Sequence, residues 1–184
     1  KNKMILTRAT LNKAELDNIF FNVSLKSPQP EKVTIIAVTK TFSYSAIQEA
    51  FENNVYNIGE NKIQELENKI KDKVLPEKAK IHFIGKLQSN KAKKAVSLCD
   101  YIQTVDSIKL AKKINNYAKK IDKKQNIYIQ INIGEDNKKQ GLIGENEDIY
   151  NQISLLKNIK VVGLMTILPK ADKKKTKEMF LAMK

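Results

Sequence analysis

The chain has 184 residues, 41% hydrophobic and 29% charged, enough for one good-sized core and ordinary for a soluble globular domain. No apolar run reaches membrane-span length, Lys1 to Leu6 lack the apolar stretch of a secretion signal, and the single Cys99 permits neither an internal disulfide nor a cysteine metal cluster, so a reducing cytoplasm is the expected setting. The net charge of +14 is carried by lysines dispersed along the chain, with Arg8 the only arginine, which argues against sequence-specific nucleic-acid readout and leaves weak nonspecific polyanion binding.

Residues 10 to 24 place Leu11, Leu16, Ile19, Phe20 and Val23 near helical spacing, with Thr10 or Asn12 as the cap. Lys26 to Glu31, with Pro28 and Pro30, is a linker. The next stretch, Lys32 to Thr39, is a run of β-branched and small apolar residues ending in Lys40, which fits a strand buried on both faces. Ser45 to Asn53 predicts a helix with Ile47, Ala50 and Phe51 inward, stopped by Asn53-Asn54. Val55 to Ile58 is a second strand, Gly59-Glu60-Asn61 a turn, and Lys62 to about Lys73 a helix with Ile63, Leu66 and Ile70 on one face.

Lys80 to Ile84 and Tyr101 to Val105 read as the third and fourth strands, with a helix opening near Ser89 between them. Ser107 caps a helix bearing Ile108, Leu110, Ala111, Ile114 and Ala118. Asn126 to Ile133 is a fifth strand, Gly134 to Gly144 a polar loop, and Glu145 to Lys157 a helix. Lys160 to Met165 is a sixth strand, followed by the Thr166 to Ala171 loop and a helix from Lys173. A helix followed by six strand–helix units argues for a parallel sheet with right-handed crossovers. Periodicity leaves open a doubly wound sheet and a (β/α)8 barrel. No Gly-x-Gly-x-x-Gly or Walker-type loop follows the first strand, which counts against a nucleotide-binding sheet.

In a parallel sheet the C-terminal strand ends share one side. They carry Lys40-Thr41, Gly59-Glu60-Asn61, His82 with Gly85, Thr104 with Asp106, Asn132, and Met165-Thr166. Glu60 and Asp106 are the only acids among them, no nucleophile has an evident base, and no metal-ligand cluster forms. A lysine among neutral hydrogen-bonding groups suits capture of a carbonyl, provided that partial desolvation favours its neutral amine. The plain alternative is a lysine that ends a strand in water. His82 by itself reads more readily as a hydrogen-bonded structural residue, and Asn61 equally as a helix cap or a ligand contact.

Five ordered segments carry a resemblance: Ile35-Ile36-Ala37-Val38-Thr39-Lys40-Thr41-Phe42, Ile58-Gly59-Glu60-Asn61-Lys62-Ile63-Gln64-Glu65, His82-Phe83-Ile84-Gly85-Lys86-Leu87-Gln88-Ser89-Asn90-Lys91, Ile129-Gln130-Ile131-Asn132-Ile133 with Lys139-Gln140-Gly141, and Gly163-Leu164-Met165-Thr166-Ile167. Together they resemble the pyridoxal phosphate homeostasis proteins, the YggS/PROSC family. The resemblance implies an α/β fold, a (β/α)8 TIM-type barrel of the alanine racemase N-terminal-domain kind. About six of eight strand–helix units would lie in a single domain over residues 1–184. It implies pyridoxal 5′-phosphate (PLP) as cofactor, held as a Schiff base on Lys40, with Asn61, His82 and Thr166 lining the pocket.

The role implied is intracellular PLP homeostasis without robust turnover, by a cytoplasmic monomer with PLP-dependent apoenzymes as partners and with no specific nucleic acid and no membrane. The alternative on the same cofactor is an amino-acid racemase or related enzyme, which needs acid–base groups on both faces of the substrate adduct. Ser43 and Lys86 depart from the family pattern. The Ser-x-Gly-Met-Ser and Arg-x-Gly segments with which members hold the phosphate are also not in this sequence. The chain is therefore expected to be C-terminally incomplete, and residues 1–184 alone to fold poorly and to hold the cofactor weakly.

Overall fold

The computed structural model describes residues 11–134, 140–143 and 147–183. The chain divides into two compact units, Lys1–His82 and Phe83–Lys184. The first contains α1 (Lys13–Lys26), a 3-10 turn at Pro30–Lys32, β1 (Ile36–Val38), α2 (Tyr44–Glu52), β2 (Asn57–Glu60), α3 (Ile63–Ile70) and all but the last residue of β3 (Lys80–Phe83). The second contains α4 (Ala92–Leu98), β4 (Tyr101–Val105), α5 (Ile108–Lys120), β5 (Gln125–Gln130), α6 (Glu147–Ser154), β6 (Ile159–Met165) and α7 (Lys173–Leu181).

Strand order follows chain order within each unit, β1-β2-β3 and β4-β5-β6. β1 and β2 are parallel, from Ile36 opposite Asn57 to Val38 opposite Gly59, and Lys80 N–H donates to the Tyr56 carbonyl at 2.9 Å where β3 begins. β5 runs parallel to both β4 and β6. Neither unit reverses its strand order. Such sequential winding belongs to a barrel wall, whereas a doubly wound sheet reverses at its switch point.

The second unit shows how directly local sequence sets this architecture. Ile102 and Val105 on β4, Leu110, Ala111, Ile114 and Ala118 on α5, and Ile127 and Ile129 on β5 are all buried. Each such isoleucine or leucine contributes roughly 1.5–3 kcal/mol through removal from water. Ser107 starts α5 by accepting from Leu110 N–H at 3.3 Å. Replacing Ser107 with alanine orphans that donor, and urea titration of the intact protein should show a loss of about 1 kcal/mol. At the other end of the preceding helix, Lys123 Nζ donates to the Val96 and Cys99 carbonyls at 2.7 and 2.6 Å. These are orphan carbonyls at the end of α4. Burial lowers the Lys123 pKa from its ordinary value, with Asp100 opposing the shift.

Several expected boundaries move. The first strand is confined to Ile36–Val38 and is not buried on both faces, since Val33 and Val38 are 44% and 47% exposed. Val33 N–H closes the 3-10 turn onto the Pro30 carbonyl, and β1 has only β2 beside it among the described strands of its unit. The second strand lies two residues later than expected because Val55 N–H is still bonded to the Ala50 carbonyl, across a left-handed Asn54. Gly59 and Glu60 therefore belong to a buried strand and not to a turn. On α1, Asn12 is the cap, but only Leu16 is buried, while Ile19 and Phe20 face outward. The fifth strand ends at Gln130, and most of the expected polar loop lies outside the described residues.

Candidate cofactor site

Lys40 lies two residues past the end of β1 and is exposed. It occupies the second position of a four-residue turn, in which Phe42 N–H donates to the Thr39 carbonyl at 3.2 Å. The third position, Thr41, has φ 69°. A positive φ at that position belongs to a type II turn, where glycine or asparagine is usual and a β-branched residue is an outlier. The lysine thus projects from a sharp, strained turn and is not desolvated at the end of a buried strand, as the sequence suggested. An exposed amine on such a turn can be reached by a carbonyl compound from solution.

The turn is anchored from beneath by a buried ionic cluster. Lys69 Nζ donates to Glu60 Oε1 at 2.6 Å, to Glu65 Oε1 at 3.3 Å and to the Thr39 carbonyl at 2.9 Å. All three ammonium N–H groups thereby have acceptors. Thr39 Oγ1 donates to the same Glu60 oxygen at 2.6 Å, and Thr41 N–H donates to Glu65 Oε1 at 2.5 Å. The side chains of Lys69, Glu60 and Glu65 are 0–3% exposed. Sequence reading gave no role to Lys69 and quoted Glu65 only as the end of a motif segment. The available signal was their i,i+4 spacing of opposite charges on the same side as Leu66.

Side chains alternate along a strand, so Thr39 and Glu60 point toward α3, while Asn57 and Gly59 take the opposite face of β2. His82 shares this second face, with its Nε2 3.0 Å from Asn57 Oδ1. Its ring thus reaches toward the start of β2, in keeping with the structural reading. Asn61 presents a buried Oδ1 with no hydrogen-bond partner. Lys40 and Asn61 thus come just after the C-terminal ends of β1 and β2, and His82 lies within β3, all three in the first unit. Thr166 belongs to the second unit, at the end of β6, where its hydroxyl donates to the Ile131 carbonyl at 2.8 Å. In the same unit Thr104 Oγ1 donates to the Gly85 carbonyl at 2.6 Å, and Leu142 N–H returns to the Gln130 carbonyl at 2.8 Å beside Gly141. Gly141 has φ 122°, and a Cβ there would fall 2.6 Å from Asn132 N, so only glycine fits.

Residues 15–183 match the family model described as alanine racemase, N-terminal domain. A pyridoxal phosphate homeostasis protein of Pasteurella multocida is 35% identical over 173 residues, covering 91% of this chain and 73% of that protein. The chain belongs to the pyridoxal phosphate homeostasis protein family. The family's Synechocystis member is 38% identical over 141 residues, which is 76% of this chain and 65% of the relative's length. PipY of Synechococcus elongatus, solved without PLP, superposes with a TM-score of 0.78 at 33% identity, covering 87% of this chain and 75% of PipY. The PLP-bound form of PipY gives a TM-score of 0.73 at 32% identity. The fold is therefore the α/β barrel domain of the alanine racemase N-terminal kind, with six of its parallel strands among the described residues. No helix among the described residues is long and apolar enough to cross a membrane.

Proposed function

We propose that this chain binds PLP covalently through Lys40 and that the protein acts in PLP homeostasis in the cytoplasm, with PLP-dependent apoenzymes as recipients. The observation that carries the reading is the exposed Lys40 on an anchored, strained turn after β1, together with the buried, unpartnered Asn61 Oδ1 after the neighbouring β2, in a chain of this family. PLP, when bound, supplies an aldehyde that condenses with a lysine amine with loss of water. The residues present fit that end of the cofactor. Lys40 offers a primary amine that solvent-borne ligands can reach, and Asn61 offers an acceptor that can take a hydroxyl hydrogen bond. The PLP-bound PipY structure supports the same ligand class for this fold.

His82 and Thr166 stand as pocket residues on the motif resemblance. Through its bond to Asn57, His82 holds the sheet face below Asn61. Thr166 Oγ1, already donating to Ile131, retains lone pairs for a ligand donor. Monomeric state and a single barrel domain complete the proposal. Racemisation, which needs acid–base groups on both faces of the substrate adduct, is not favoured, because the curated relatives that the chain matches are pyridoxal phosphate homeostasis proteins.

Peptide mapping tests the assignment. Intact protein is mixed with stoichiometric PLP, reduced with borohydride and digested. The label is expected on the peptide containing Lys40, although 33 of the 184 residues are lysines. Label scattered over surface lysines, or absent, would overturn the reading.

A further inference from the structure

We infer that the buried Glu60–Glu65–Lys69 cluster, working through Thr39, is a positioning device that holds the Lys40 turn in its capture-ready geometry. This deepens the proposed PLP-binding role of Lys40 and rests on it. Of five polar contacts that meet within it, three end on the turn: Lys69 Nζ on the Thr39 carbonyl, Glu60 on the Thr39 hydroxyl, and Glu65 on Thr41 N–H. The residues immediately before and after Lys40 are therefore both clamped, while Lys40 itself is left exposed.

A helix–strand contact built only for packing would bury apolar side chains at these positions. A buried ion cluster is costly to assemble, since each charge loses its hydration. Here the cluster also leaves Glu60 Oε2 and Glu65 Oε2 buried and without partners. The Thr41 backbone adds a second cost, because a β-branched residue at φ 69° is strained. Both costs fall on the same four-residue turn. Strain held in place by a surrounding polar network marks a geometry that the fold over-determines, and the residue presented by that geometry is Lys40. Holding a reacting group in one orientation removes conformations that cannot react, and a misplacement of about 1 Å can slow such a reaction 100-fold.

The test uses variants that spare the ion pairs. Removing Lys69 endangers folding, so Thr39→Val carries the experiment: it deletes only the hydroxyl that bonds Glu60 and keeps the β-branched shape. Thr39→Ser retains that hydroxyl and serves as the rescue. Two quantities are read on intact protein well below the unfolding temperature. One is the rate at which PLP labels Lys40, trapped by borohydride and located by peptide mapping, and the other is hydrogen exchange of the Lys40–Phe42 amides.

Thr39→Val should label Lys40 roughly five- to ten-fold more slowly, with faster exchange in the turn, and Thr39→Ser should restore both. Parental labelling of Lys40 in Thr39→Val, whether or not exchange changes, would overturn the positioning role alone and leave Lys40 as the anchor. Equal slowing in Thr39→Ser would overturn it too, because the hydroxyl would not be the cause. Label found elsewhere than Lys40 in the parent protein would overturn the PLP reading itself, and the positioning role with it.

Discussion

Lys40→Ala should lose the PLP adduct on the Lys40 peptide altogether, with borohydride trapping reduced to the background of the remaining surface lysines, while folding stability stays within about 0.5 kcal/mol of the parent. The two halves of that expectation come from separate observations. Lys40 is exposed, and the turn around it is held by its neighbours: Thr39 through its carbonyl and hydroxyl, and Thr41 through its N–H. Deleting the lysine side chain removes none of those bonds and buries no unsatisfied group. The covalent chemistry, by contrast, has no substitute nearby. Lys69, the other lysine held in this cluster, has all its N–H groups engaged and is buried under the turn. An absorbance titration with PLP, paired with a urea melt, reads both halves. Retention of a trapped adduct at that segment would sink the assignment, and a large fall in stability would contradict the separation of presentation from anchoring.

How much of this could be read from residues alone differs sharply between the two units. The β4–α5 segment was legible almost to the residue, since Tyr101–Val105 and Ile108–Lys120 follow from an apolar run, a serine cap and a clean 3.6-residue spacing. These signals are local and agree with one another. The site was legible as a motif: Lys40 at a strand end, with Asn61 and His82 at neighbouring ones. Its geometry was not. Apolarity at Val33 to Val38 suggested a buried strand, but β-strand burial depends on what covers each face, and no local pattern states that. The helix ending at Glu52 is followed by a bond from Val55 N–H back to the Ala50 carbonyl, so the next strand starts late and takes in Gly59 and Glu60.

The cluster beneath the turn was the least legible feature. Charged residues are almost never fully buried unless paired, so the bland expectation for Glu65 and Lys69 was a solvated helix face. Their pairing partner, Glu60, comes from a different element, and the contact that matters most, Lys69 on the Thr39 carbonyl, spans 30 positions of sequence. Spacing reveals the i,i+4 pair on α3, but only the packing of α3 on β1 and β2 shows that it is dry.

That dryness sets the expected size of the second effect. Lys69→Met should destabilise the protein by about 3–5 kcal/mol, the range typical when one member of a buried ion pair is removed. The methionine fills most of the lysine's volume, so little of the loss is a cavity. What remains is Glu60 and Glu65, both buried, with the cation between them gone and the Thr39 carbonyl deprived of a donor. Chemical denaturation at neutral pH measures the deficit. Adding Glu65→Gln to Lys69→Met should recover part of the loss, because only one buried charge then lacks its partner and the glutamine oxygen can still accept from Thr41 N–H. A Lys69→Met protein as stable as the parent at neutral pH would mean that the clamp on the Lys40 turn is not an ionic one.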